Sequence, residues 1–466
     1  MPEPTQLRRE IGLLDAIAVT VGGVIGSGIF FKPWGIAQSL PGPGWVFLAW
    51  AALGVICLFG TFAYAELGCL FPEAGGQYAF LREGYGSLVA FLYGWCFCLV
   101  INTGTIAALA AIFADTWADL VGWTRQSGGG YGFRRDAVAT AMVLVLAVVN
   151  HVGVRWGAWV QTASTVAKML ALGSILGAGF CRGPHAGVGA LTGPEPVPPG
   201  LIAGLVSACV AIFWAYEGWH QLPFSAAELK QPRRDLPRGL VWGTGIVLLV
   251  YLAMNAVYFH VVPFAEMRRL TADVEVPRLV IRRIFGDAAS SLLACFLCLS
   301  VFGAANPSLL SSPRALYAMG QDGLLPRWFT RVHPRWRTPA AAIWVQAIWS
   351  ILLLFGMHTF KDLTVYVIFA ALIFYALTVG SVYVIRRRQP ERERPYRCWG
   401  YPVTPALFIL VALCVDAATL ANAAEQRNAL VGLGILAAGV PVYVWIKRKR
   451  GGPALPELSG ERPATR

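Results

Sequence analysis

Glu217 and His220 stand three residues apart in 211-AIFWAYEGWHQL-222, a stretch otherwise built of apolar and aromatic residues. Ionisable side chains inside such a run are costly if the run lies in lipid, and by default they mark a binding site or a pathway. Glu217 is expected to be either neutral or paired with a cation, which would be a substrate amine, a basic side chain or Lys168. His220 reads as a proton partner for it or as a hydrogen-bonded packing residue. Trp214, Tyr216 and Trp219 surround the acid. They are core filler or, at Trp214, a lid over an aliphatic substrate side chain.

A second unusual stretch is 22-GGVIGSGIF-30, where four glycines and a serine interrupt an apolar run long enough to span a bilayer. Each glycine weakens a helix by about 1 kcal/mol relative to alanine. Two explanations compete. The glycines let a neighbouring helix approach closely, or the helix unwinds near Ile25–Gly28 and presents the N–H groups of its second half as an anion site suited to a carboxylate. Two interrupted helices at matching positions in two halves of a chain are the sequence sign of an inverted-repeat transporter, with substrate at the midplane.

Lys168, in 162-TASTVAKMLALGSIL-176, reads as the only lysine well inside a span. Snorkelling to an interface is awkward from that depth, so interior pairing is favoured. There its ammonium could bind carbonyls exposed by the break and do the work of a sodium ion. Asn306, Ser308, Ser311 and Ser312 are neutral polar groups suited to lining a pathway. Asp15 should cap the first helix, while Glu66 and Asp115 fall near span ends and suit interface roles.

The elements that must position these groups are transmembrane helices. The 466 residues are 56% hydrophobic and only 14% charged, against about 25% in soluble proteins. A spanning helix needs about 20 apolar residues, and twelve such runs can be drawn, at 13–38, 45–70, 88–114, 136–154, 159–181, 200–224, 239–262, 288–312, 339–357, 364–386, 403–422 and 428–447. The expected class is an all-α polytopic membrane protein. Its parts are a cytoplasmic segment 1–12, five-helix repeats at 13–181 and 200–386, two further helices in 403–447, and a cytoplasmic tail 448–466. The net charge of +13 lies mostly in short connections rather than in a nucleic-acid-binding face. With both ends in the cytoplasm, 25 lysines and arginines fall inside and 12 outside, leaving Lys168 to complete the 38. Basic residues favour the inner side. That predicts a multi-pass protein of the cell (inner) membrane. The ten cysteines are expected to be small apolar filler.

At this level of detail the chain resembles the amino acid–polyamine–organocation superfamily. Within it, the chain is similar to bacterial relatives of the L-type amino acid transporters, the light subunits of heteromeric exchangers. The resemblance runs from about residue 10 to 447 and rests on 22-GGVIGSGIF-30, 72-PEAGGQYAFLREGYG-86, 165-TVAKMLAL-172, 213-FWAYEGWHQLPFSAAELKQPRRDLPRG-239 and 314-RALYAMGQDGLLPRWFTRVHP-334. It implies a five-plus-five inverted repeat with spans one and six broken, and sodium-independent exchange of amino acids. It also implies that Ile25, Gly26, Ser27 and Gly28 bind the substrate carboxylate and that the backbone at Phe213, Trp214 and Ala215 binds the amine. By the same resemblance Trp214 takes the place of a phenylalanine gate, and Lys168 that of the lysine standing in for sodium. Two departures matter. The connection 119-DLVGWTRQSGGGYGFRR-135 has no cysteine, so no disulfide-linked heavy subunit is expected. Glu217 replaces a small residue common among relatives, an acid being found in the branch that also takes cationic amino acids.

The expected activity is therefore secondary transport of neutral or cationic L-amino acids by alternating access, with no cofactor or metal. Substrate-binding residues are Ile25, Gly26, Ser27, Gly28, Phe213, Trp214, Ala215 and Glu217. Trp214 and Lys168 gate or couple, and Tyr216, Trp219, His220 and Asn306 flank the pathway. The alternatives are proton-coupled uptake of amino acids or polyamines, and, in other classes, a channel or a receptor. No nucleophile constellation, phosphate loop or metal cluster suggests an enzyme.

Overall fold

The computed structural model describes residues 11–449 apart from 73–75, 124–131, 153, 183–199, 270–274, 332, 334, 337 and 358. Most of both terminal segments, and the centre of the 119–135 connection, lie outside the described residues. Among those described, eleven helices are long and apolar enough to cross a membrane, and Leu201–Tyr216 is a shorter apolar helix. The protein is an all-α polytopic membrane protein. Hydrocarbon leaves a backbone no partner but itself, which is why nearly every apolar run closes into helix.

Span one consists of Leu13–Val24, then Gly28–Phe31 and Pro33–Ser39. Asp15 caps its start by accepting from the Gly12 amide at 2.9 Å. Span six ends as regular helix at Tyr216, and a 3₁₀ segment resumes at Leu222–Glu228. Span two (Pro43–Leu70) packs along span seven (Pro232–Val261), which also runs beside span one. Span three (Ser87–Leu120) packs along span eight (Asp287–Gln321), and span eight along span five (Val154–Arg182). Spans four (Phe133–Val152) and nine (Ala340–Met357) meet each other; spans ten to twelve are Phe360–Arg388, Val403–Ala421 and Gln426–Lys449.

The two halves share a local signature that residue similarity alone does not expose. A short helix, Gly76–Tyr85, leads into span three through Gly86 at φ 88, ψ −175. Another, Val276–Phe285, leads into span eight through Gly286 at φ 84, ψ −176. Both helices have ten residues. Five spans separate the copies, so they sit on opposite sides of the bundle, as an inverted repeat requires. The first is largely buried, and Tyr78 and Arg82 both donate to Asp322 at 2.7 and 3.2 Å. Glu66 is buried and grips Arg386 through two bonds, at 2.9 and 2.6 Å, while accepting from the Cys398 amide. It ties span two to span ten and to the connection that follows it.

Candidate functional site

The two interruptions face each other. Span one loses helical form at Ile25 to Ser27, and span six does so from Glu217 to Gln221. They touch backbone to backbone, because a Cβ at Gly218 would lie 2.4 Å from the Gly23 carbonyl oxygen, and Gly218 holds φ +114. Only glycine meets both demands. The hydroxyl of Tyr251, on span seven, reaches the carbonyls of Val24 and Ala215 at 3.1 and 2.9 Å. A single donor thus ties the C-terminal ends of both half-helices. Tyr258 makes a further bond to the Ile29 carbonyl at 3.1 Å. Sequence reasoning missed these tyrosines, whose spacing of seven residues on one helix face was the available signal.

Between the interruptions lies a cavity of about 60 Å³. Its wall includes Gly26, Ser27 and Gly28 from span one, Lys168 from span five, and Trp214, Glu217 and Gln221 from span six. Thr105 of span three and Ser308 of span eight complete its polar lining. Helices leave their first N–H groups without intrahelical acceptors, so the start of the second half of span one supplies donors to this wall. The Ser27 carbonyl accepts from the amides of Phe30 and Phe31, which fixes that first turn.

Lys168 is 2% exposed, and its ammonium donates to the Gly22 carbonyl at 3.4 Å. The lysine thus reaches the carbonyl-rich end of the first half-helix, where a cation is favoured. The Trp214 indole donates to the Ser27 hydroxyl at 3.1 Å and packs edge-on against Phe360, with centroids 5.6 Å apart. It closes the cavity on the donor side. Glu217 accepts from the Tyr375 hydroxyl, and the His220 Nδ1 lies 3.8 Å from the same carboxylate oxygen. Tyr375 also lies 3.4 Å from His220 Nε2.

The remaining expected residues are close but do not form the wall. Ile25, Phe213 and Ala215 are buried behind it, the last against Gly28. Tyr216 donates to the Trp50 carbonyl at 3.2 Å, and Trp219 packs among Tyr64, Tyr375 and Phe408. Asn306 accepts from Asn150 at 2.8 Å, a link between spans eight and four. Lys168 is not the only deeply placed lysine, as its isolation in sequence suggested. Lys32 is 8% exposed, donates to the Thr364 hydroxyl at 2.9 Å, and stands over the Phe360 ring at 4.0 Å. It lies 6.0 Å from the Trp214 ring centroid. The helix restart at Gly28 turns it inward, which a sequence span boundary near residue 38 hides.

Residues 11–438 match the model of the amino acid permease family. The chain belongs to that family. It is 30% identical to the serine/threonine exchanger SteT of Bacillus subtilis over 96% of this chain and 99% of that protein. It is 29% identical to the human b(0,+)-type amino acid transporter 1, covering 97% and 90% of the two chains. Against the human large neutral amino acids transporter small subunit 2 the figures are 30% identity, 94% and 80%.

Proposed function

We propose that this amino acid permease is an exchanger of neutral or cationic L-amino acids, working by alternating access without sodium. The observation that carries the reading is the shared wall of the two interruptions, with donors at Gly26–Gly28 facing Glu217 and with Lys168 seated on the Gly22 carbonyl. The substrate carboxylate meets the amides of residues 26–28 and the Ser27 hydroxyl, displacing the Trp214 indole from it. The ammonium meets carbonyls at the end of the first half of span six. A side chain then extends toward Trp214 and Glu217, and a basic one pairs with that carboxylate. Lys168 supplies the fixed positive charge that removes the need for a sodium ion. The Trp214 indole already holds the Ser27 hydroxyl, so a substrate carboxylate that takes this hydroxyl has to move Trp214.

The buried set Glu217, Tyr375 and His220 favours a second reading, proton-coupled uptake, because a carboxylate, a phenol and an imidazole in contact can pass a proton. We place the protein in the cell membrane with both termini cytoplasmic. It works without a disulfide-linked heavy subunit, since the 119–135 connection offers no cysteine. Counterflow in proteoliposomes with a panel of labelled amino acids, with and without sodium and a pH gradient, tests all of this together. Trans-stimulated uptake indifferent to both gradients is expected. Uptake driven by protons into empty vesicles would support the second reading, and absence of any flux would remove both.

A further inference from the structure

Away from the substrate cavity, a groove of about 450 Å³ opens between spans three, eight, nine and twelve. Its wall is almost entirely hydrocarbon, ring and sulfur, including Trp95, Met319, Phe329, Val345, Trp349 and Trp445. The polar atoms of two of these rings are turned away from it: Trp95 donates to the Ile435 carbonyl and Trp349 to the Leu99 carbonyl, both at 2.8 Å. Gln346, the polar residue of the wall, is also engaged, accepting from Asn102 at 2.9 Å. Apart from that amide, the groove offers a ligand apolar contact. It sits where span three begins, span eight ends, span nine begins and span twelve ends, so one rim lies at the face of the bundle that carries the C-terminus.

That rim is basic. Lys447 and Arg448 are exposed and directly follow Trp445 and Ile446 of the wall. Arg331, also exposed, follows the short turn that carries Phe329. Asp322, the acid of the adjoining connection, is already held by Tyr78 and Arg82. An apolar slot at bilayer depth, ending in cations at headgroup level, has the form of a lipid site rather than a helix interface. Basic pockets between spanning helices on the inner side hold anionic headgroups. A second copy of the chain would bring the same cations against these.

We propose that this groove holds one acyl chain of an anionic phospholipid, whose phosphate is met by Lys447, Arg448 and Arg331. The inference is independent of what the transporter carries. Native mass spectrometry of the full chain, released from detergent after incubation with phosphatidylglycerol or phosphatidylcholine, tests it. Wild type should retain one phosphatidylglycerol in preference to phosphatidylcholine. Val345→Trp, at a half-exposed position of the wall, should lose the retained lipid by filling the slot. The double variant Lys447→Gln/Arg448→Gln should keep a lipid but lower the preference roughly 30-fold, at about 1 kcal/mol for each cation near the surface. Thermal melting of the variants without added lipid shows whether they fold. Equal retention of the two lipids by wild type, undiminished retention by a folded Val345→Trp, or a lipid-free dimer in place of the lipid-bound monomer would overturn the proposal.

Discussion

The two interrupted helices solve the same problem differently. Span one breaks for three residues and resumes as helix at Gly28, whereas span six breaks for five and resumes only as a 3₁₀ turn at Leu222. The short break is crowded on one side alone. A Cβ at Gly28 would stand 2.2 Å from the Ala215 Cα, but at Gly26 it would meet nothing nearer than the Val24 carbonyl at 3.8 Å. Glycines two residues apart therefore serve different ends. Gly28 permits close approach of the two half-helices, and Gly26 keeps a wall of bare backbone on the cavity. Span six instead carries its chemistry on side chains, Trp214 and Glu217, with Gly218 as the point of backbone contact. The sequence sets up helix packing and substrate recognition as rival explanations of one glycine cluster; the close packing is present at Gly28, the bare cavity wall that recognition calls for is present at Gly26, and the two divide by residue.

The largest expected effect separates those two glycines. Gly28→Leu should deny the protein its packed state, since overfilling a tight contact costs about 1–3 kcal/mol or more, and here the obstacle is backbone. Gly26→Leu should fold and melt like wild type while losing substrate binding. Size-exclusion profiles and melting curves read the first, and ligand-induced shifts in melting read the second. Folded Gly28→Leu, or normal binding by Gly26→Leu, would erase the distinction. Next comes Lys168→Ala. A hydrogen bond to a charged group contributes about 1.5–3 kcal/mol, so exchange should fall roughly 10- to 100-fold in a variant that still melts cooperatively. Unchanged turnover would take Lys168 out of the mechanism. Glu217→Gln tests the side-chain half of the comparison. Uptake of arginine or lysine relative to a neutral amino acid should drop by roughly tenfold, one charge-assisted contact, with neutral exchange retained. An identical uptake profile would leave Glu217 a purely structural partner of Tyr375.

Much of this architecture is legible in the sequence. Hydropathy alone marks the spans, because lipid allows so few backbone solutions, and Gly22–Gly28 with Glu217 mark the interruptions because both break the rules of an apolar helix. Lys168 was legible for the same reason. Lys32 was not: it sits six residues from the end of an expected span, where snorkelling is the ordinary explanation, and only the restart of the helix at Gly28 aims it inward. Tyr251 was equally hidden, since an apolar helix carries tyrosines for many reasons and its bonds go to backbone atoms that the sequence does not show. The division of the pathway set follows the same logic. Glu217 lines the cavity, while Trp219 and Tyr216, its neighbours in sequence, turn into the packing behind it.

The smallest predicted effect concerns that second lysine. Lys32 belongs to the half of span one that follows the break, and its partners Thr364 and Phe360 belong to span ten. The same Phe360 ring meets Trp214. A cation held on a ring contributes about 0.5–1 kcal/mol when exposed and about 2 when desolvated. Lys32→Met keeps the length and packing of the chain while deleting that term and the hydrogen bond to Thr364. It should loosen closure on this side of Trp214 without touching the groups at Gly26, Ser27 or Lys168. The maximal exchange rate should stay within about twofold while the half-saturating substrate concentration on that side shifts roughly threefold. A collapse of the maximal rate would instead place Lys32 in the coupling machinery beside Lys168, and no change in either quantity would make its burial a matter of packing alone. Because Lys32 touches span ten and Lys168 touches span one, the double variant should show additive effects. Non-additivity would mean that the two halves of span one report to each other through the break.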